Sequence, residues 1–155
     1  MPTRPARLDD LDRLAAMGEA LARLHHGYDA RRFLFGPGIA EGYRWWFERE
    51  LANPEAALIV AVSDDDRPTG YVYGRLEERD WQSLLDAHAA LVDVFVDPDA
   101  RRGGAGAALV DAFCAWADAK GAPRVVLSTA TQNAAAQALF ARRGFRATMI
   151  EMTRG

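Results

Sequence analysis

The sequence predicts an α/β or α+β fold with a mixed sheet, as one domain of helices around a single sheet. Three observations carry this. Apolar residues at helical spacing open the chain, an apolar hairpin follows, and the last part alternates strand, helix, strand, helix, strand. The 155 residues, 50% of them hydrophobic, suffice for one sizeable core.

TRPAR reads as a short first strand. DDLDRLAAMGEALARLHH places Leu11, Leu14, Met17 or Gly18, Leu21 and Leu24 at helical spacing, with Asp9 or Asp10 as the cap and Gly27 as the end. GYDARRFLFGPG is a loop that carries aromatics, and IAEGYRWWFEREL is a second helix closed by Asn53-Pro54. AALIVAV and YVYGRLEE form a hairpin across the turn SDDDRPTG. ERDWQSLLDA is a connector, and HAALVDVFV is a strand stopped by Asp97-Pro98. GAGAALVDAFCAWADAKG is a helix with Leu109, Val110, Phe113, Trp116 and Ala117 inward and Gly121 at its end. PRVVLSTA is a buried strand. NAAAQALFARRG is a helix capped by Asn133 and stopped by Gly144, and FRATMIEMTR is a last strand.

Charge and cysteine content narrow the chemistry. The formal net charge of -3 argues against a nucleic-acid partner, which needs a basic face. Cys114 is alone, which excludes an internal disulfide and a cysteine-based metal site; it reads as a small buried hydrophobe, and no metal ligand set is expected. The opening MPTRPARLDDLDRL lacks the apolar core of a signal peptide, and no apolar run reaches membrane-spanning length. A soluble, cytoplasmic protein without a membrane partner is expected.

The stretch ARRGGAGAAL, residues 100–109, has no bulky side chain between its arginines and Leu109. It joins a strand to a helix. A turn this bare brings backbone N–H groups close to a ligand, and the helix N-terminus behind it adds unpaired donors and a positive dipole end. Together these make a phosphate cradle, to which Arg101 and Arg102 add charge. A P-loop requires Gly-Lys-Ser/Thr after the glycines, and GAGAAL lacks it. A dinucleotide fingerprint counted from Gly104 requires glycine where Leu109 stands.

Arg-x-x-Gly-x-Gly, filled by Arg101, Gly104 and Gly106, resembles the loop of the Gcn5-related N-acetyltransferases (GNAT). LVDVFVDPDARRGGAGAALVDAF is similar to that family's fourth strand, loop and third helix. VVLSTATQNAAAQALFARRGF is similar to its fifth strand and fourth helix, through Asn133, Ala136 or Ala138, Leu139, Gly144 and Phe145. The likeness is strong over 88–153, and 1–87 is compatible with it. The resemblance implies a mixed, mostly antiparallel sheet of about six or seven strands flanked by about four helices, splayed between strands 4 and 5. It implies an acetyl-coenzyme A core over 88–153 and an acceptor side over 1–87, within one domain spanning 1–155.

On this resemblance the cosubstrate is acetyl-coenzyme A, with no metal. Its pyrophosphate lies on Arg101, Arg102 and the backbone of Gly103, Gly104, Ala105, Gly106 and Ala107. Its pantetheine pairs with the backbone at Phe95 and Val96, where a freed N–H stabilises the oxyanion. Asn133 is a contact to the pantetheine or the leaving sulfur, a helix cap, or both. Phe140 stands where the family often carries a tyrosine that protonates the departing thiolate.

The attacking amine must lose a proton. Asp93, a carboxylate inside an apolar strand, is the first candidate base, its alternative being a structural aspartate. Val92 stands where polyamine-acetylating relatives carry glutamate. His88 is the second candidate; strict alternation puts it on the opposite face from Asp93 unless a bulge intervenes.

HHGYDARRFLF and GYRWWF are candidate acceptor walls, although Trp45, Trp46 and Phe47 read first as core. Glu77, Glu78 and Asp80 read as a solvated cluster that would attract a cationic amine if it flanked the cleft. The expected function is acetyl transfer to a primary amine of a small molecule. The alternatives are a protein N-terminus or lysine as acceptor, and a coenzyme A-binding sensor without turnover. A homodimer is compatible with family habit.

Overall fold

The apolar runs become the strands of one sheet in a computed structural model that describes residues 1–155. Strands β1 (Thr3–Pro5), β2 (Ala56–Val62), β3 (Pro68–Glu77) and β4 (His88–Val96) pair antiparallel in sequence order, and β5 (Val125–Leu127) joins β4 in parallel. Four helices cover this sheet: α1 (Leu11–Tyr28), α2 (Ile39–Leu51), α3 (Ala105–Ala119) and α4 (Ala134–Arg142).

The continuous apolar runs in β2 and β3 arise because both sheet faces are covered. On one face Leu14 and Met17 of α1 and Phe47 of α2 pack on Val60, Tyr71, Tyr73 and Phe95. On the other, Leu109, Phe113 and Ala117 of α3 pack on Ala61, Val72 and Leu91. Phe47 is core, as the sequence suggests, whereas Trp45 lies exposed with the Arg49 guanidinium over its ring. Two glycines permit the close contacts. A Cβ on Gly74 would lie 2.4 Å from the Phe113 ring, and one on Gly18 would lie 2.5 Å from the Tyr43 ring. Burial pushes the Cys114 thiol pKa up, as suits an inert packing residue.

The structure corrects the expected strand count. The sheet has five strands, and FRATMIEMTR, expected as a last strand, forms none. Gly144, at φ +88, turns the chain as it leaves α4. Beyond it Glu151 pairs with Arg32 of the α1–α2 loop, so the segment is held by that loop, and β5 keeps an unpaired outer edge. α1 runs one residue past Gly27, to Tyr28. Asp10 does not cap α1 with its side chain. It is 6% exposed and accepts from the Arg7 N–H and the Arg4 guanidinium, which ties β1 to the helix. No helix is long and apolar enough to cross a membrane.

Candidate active site

The centre of β4 breaks the regular ladder. Tyr73 pairs with Asp93 and Gly74 with Leu91, leaving Val92 without a partner on β3. This is a β-bulge, which changes the phase of the strand. Ala89 and Leu91 before it, and Val94 and Val96 after it, all pack on the α3 side. Phe95 packs on the α1 side, and Asp93 shares that side, where it meets the Tyr71 hydroxyl. The bulge therefore puts His88 on the same face as Asp93, the exception to strict alternation. It does not bring them together: they lie five positions apart along the strand, about 15 Å. His88 is buried, with Nδ1 hydrogen-bonded to the Asp86 carbonyl at 2.9 Å.

The bulge also marks where β4 leaves β5. Their ladder covers Ala89 to Leu91 against Val125 to Leu127 and stops. From Asp93 to Val96, β4 pairs only with β3, so its other edge offers bare backbone toward Ser128–Thr131. This is the splay between strands 4 and 5: Phe95 turns its N–H and C=O toward β3, Val94 and Val96 turn theirs to the bare edge, and there the Val96 carbonyl accepts from Arg101 Nε.

The bare edge leads into the glycine loop. None of the amides of Arg102, Gly103, Gly104, Ala105, Gly106 or Ala107 donates to an acceptor within the chain; the first to do so is Ala108, to the Gly104 carbonyl. A row of free donors at a helix N-terminus fits a phosphate-bearing group. Gly104 begins α3 at φ +84, and a Cβ there would meet nothing within 4 Å. Gly106 has another role: a Cβ there would lie 3.2 Å from Leu139 Cδ2, so its bareness lets α4 approach α3. The two arginines also divide. Arg101 folds back and donates from Nε to the Val96 carbonyl at 3.0 Å, whereas Arg102 is exposed and pairs with no carboxylate.

Asp93 is half-buried on the α1 side of β4. Burial pushes its pKa up to about 6, against the hydrogen bond from Tyr71 and the charge of His25, which pull it down. Tyr71 is fully buried and donates to Asp93 Oδ2 at 3.1 Å. His25 lies one turn beyond Leu21, with Nδ1 bonded to the Leu21 carbonyl at 2.9 Å, which makes Nε2 the free nitrogen in the neutral ring. His25 meets Tyr28 and Phe33 edge-on, with centroids 5.5 and 5.0 Å apart.

The loop after α1 closes this side. His26 Nδ1 donates to the Phe33 carbonyl at 2.8 Å, Gln132 reaches the Tyr28 carbonyl at 3.5 Å, and Arg32 binds Glu151. Glu77, Glu78 and Asp80 lie elsewhere, at the far end of β3. They line an open cavity of about 520 Å³ with Arg75 and Arg79, and Glu77 is held by Arg75 at 2.6 Å. Neither that cavity nor its neighbour of about 590 Å³ beside Trp46 and Glu50 is lined by Asp93 or the glycine loop.

Asn133 caps α4: its Oδ1 accepts from the Ala136 N–H at 3.1 Å. Phe140 is 8% exposed and packs edge-on against Phe145, centroids 5.8 Å apart. No three His, Cys, Asp or Glu side chains are grouped to hold a metal ion. Sequence reasoning missed Tyr71, and His25 as an individual residue. Tyr71 sits inside an apolar strand that marks it as core, and only the strand register aims it at Asp93; His25 lies in a segment read only as a candidate acceptor wall, and the docking of α1 brings its charge to bear on Asp93.

A sequence profile of the Acetyltransferase (GNAT) family matches residues 19–145. The chain belongs to this family. No curated protein sequence matches the chain. Its fold is that of solved GNAT structures. A GCN5-related N-acetyltransferase from Ralstonia eutropha JMP134 shares 25% identity at a TM-score of 0.75, over 99% of this chain and 97% of that one. A mutant of the Bacillus halodurans protein BH1408 shares 18% identity at a TM-score of 0.86, over 100% and 99%. The aminoglycoside N-acetyltransferase AAC(6')-Iy, solved in complex with CoA, shares 18% identity at a TM-score of 0.74, over 99% and 98%. In this GNAT chain the bulge, the bare edge and the glycine loop lie in succession along one strand–turn–helix unit.

Proposed function

We propose that this chain transfers the acetyl group of acetyl-coenzyme A to the primary amine of a small molecule, with Asp93 as general base. One observation carries the reading: a carboxylate of raised pKa stands beside the bulge at which β4 parts from β5. The free amides from Arg102 to Ala107 and the charge of Arg102 hold the pyrophosphate. The bare edge through Val94 and Val96 holds the pantetheine arm, which places the thioester near Val92 and Asp93. The structure relative AAC(6')-Iy, solved with CoA, supports this choice of cosubstrate by fold alone.

The acceptor enters as an ammonium. Asp93 takes its proton, and the freed nitrogen attacks the thioester carbon. A tetrahedral oxyanion forms, stabilised by backbone N–H at the bulge. It collapses with cleavage of the C–S bond, the coenzyme A sulfur leaves as thiolate, and the nitrogen's second proton passes through water to that sulfur, giving the amide and coenzyme A. A thiol ionises near an ordinary pKa of about 8.5, so the thiolate departs without a donor at Phe140. Holding both reactants in one slot supplies much of the rate.

A small acceptor is favoured over a peptide because the loop from Tyr28 to Phe35 is tied down at Gln132 and Glu151. A peptide requires an open groove. The experiment is free-thiol release from acetyl-coenzyme A with polyamines, aminoglycosides, amino acids and peptides. Turnover with a small amine supports the proposal. Turnover confined to peptides would overturn its acceptor class. Tight binding of acetyl-coenzyme A without turnover on any amine would favour a coenzyme A sensor.

A further inference from the structure

We propose that Tyr71 is a positioning residue for proton transfer: its phenol holds one oxygen of Asp93 and leaves the other as the oxygen that meets the amine. The inference rests on the reading of Asp93 as general base. Tyr71 is fully buried on β3, between Phe47, with ring centroids 5.4 Å apart, and Phe95, at 6.5 Å. Packing on both sides fixes the ring, so its hydroxyl has little freedom. That hydroxyl donates to Asp93 Oδ2 at 3.1 Å. Oδ1 has no partner within the chain, yet no buried side-chain oxygen is unsatisfied, so Oδ1 is open to solvent. One oxygen is anchored in the core and the other is presented to the slot.

The contact lies in the regular ladder just after the bulge. Tyr71 and Asp93 lie two strand positions out of register, with Tyr71 facing Phe95 in the ladder and Asp93 facing Tyr73. On a regular strand Asp93 would still be a neighbour, but the residues before it would fall on this face in a different phase. The groups around Asp93 are few. β3 supplies Tyr71, α2 supplies Tyr43, and α1 supplies His25, each coupled electrostatically to the carboxylate. Burial and the Asp93 charge hold the Tyr71 phenol protonated, above its ordinary pKa, so it serves only as a donor. A donor to the carboxylate favours the ionised form, and its loss makes ionisation harder.

The test reads Asp93 directly, without any acceptor: its side-chain carboxyl carbon is followed by NMR across pH in the intact protein. Tyr71→Phe keeps the ring and removes only the donor. The expected result is a higher titration midpoint for Asp93 than in the wild type. 3-Fluorotyrosine at position 71 is a stronger donor of nearly the same size, and it should move the midpoint down. If Tyr71→Phe fails to fold, the fluorinated protein still decides. A midpoint that moves in neither protein overturns the proposal. With an accepted amine in hand, Tyr71→Phe should lower kcat, leave the KM for acetyl-coenzyme A unchanged, and move the acid limb with the midpoint. If Asp93→Asn leaves turnover and its pH profile intact, the base assignment fails. If Asp93→Asn abolishes the limb and Tyr71→Phe leaves it in place, only the role of Tyr71 fails.

Discussion

Arg101 donates from Nε to the carbonyl oxygen of Val96 at 3.0 Å, with its guanidinium 5.9 Å from the Phe95 ring centre. The first arginine of the glycine loop therefore braces the turn against its own strand, whereas Arg102 is exposed and pairs with no carboxylate. The two alanine substitutions should separate. Arg102→Ala should raise the Kd for acetyl-coenzyme A about fivefold, as loss of about 1 kcal/mol at a wet site implies. It should also flatten the salt dependence of binding. Arg101→Ala should weaken binding while leaving that salt dependence in place. Calorimetric titration at low and high salt checks both, and matching salt profiles in the two variants would refute the division.

Gly104 holds φ +84 at the start of α3. Gly104→Ala should cost about 1–2 kcal/mol, because an L side chain there strains against its own carbonyl. For a chain of this size that is a fall in Tm of about 2–8 °C. Gly104→Glu adds a carboxylate at the mouth of the cradle and should abolish acetyl-coenzyme A binding. Unchanged affinity would remove the loop from the site.

Asp93 titrates near 6 when folded, above the ordinary carboxylate value of 3.8. Below about pH 4 it is protonated in both folded and unfolded chains and costs nothing. Above about pH 6 it is ionised in both, and the folded chain bears about 3 kcal/mol for holding the charge. Stability from this group therefore falls as pH rises between those values. Asp93→Asn should raise Tm relative to the wild type at about pH 7.5 and not at about pH 4. It should also cut kcat by about 10²- to 10⁴-fold and erase the loss of activity below about pH 6. An unaltered pH–rate profile would exclude Asp93 as the base.

Phe140 lies against Phe145 at the family's tyrosine position. Phe140→Tyr should leave acetyl-coenzyme A affinity intact and kcat at least as high as in the wild type, since the proposed transfer needs no donor there. A complete loss of turnover would mean that this ring packs on the cosubstrate. Steady-state kinetics with both substrates varied distinguishes the outcomes.

Asn133 accepts the Ala136 N–H, so its first duty is the cap of α4. Asn133→Ala should cost about 1 kcal/mol, or about 2–4 °C in Tm. Asn133→Asp should restore most of it. If Asn133→Asp restores Tm but not the KM for acetyl-coenzyme A, the side chain's amide also contacts the cosubstrate.

Much of this was legible before any coordinates. Helical spacing in residues 11–24 and 105–119, the apolar runs of β2, β3 and β4, and the glycine-rich junction each follow from local chemistry. Periodicity, Gly and Pro punctuation and a missing side chain are properties of short segments, so they can be read there. Asp93 was visible too, because a carboxylate is out of place among Leu91, Val94 and Phe95.

The relations across the fold were not legible. Val92 looks like any strand valine, and only the ladder against Tyr73 and Gly74 reveals that it is the extra residue. Tyr71 reads as core and is core, yet the register aims its hydroxyl at Asp93. FRATMIEMTR has the composition of a strand and forms none: its Glu151 is tied to Arg32 of the α1–α2 loop, and the segment makes no ladder with the free edge of β5. Local sequence sets what each segment prefers, but pairing register and docking are settled by contacts between residues far apart in the chain. Here those contacts join a tyrosine to an aspartate on the strand that leads into a row of bare amides.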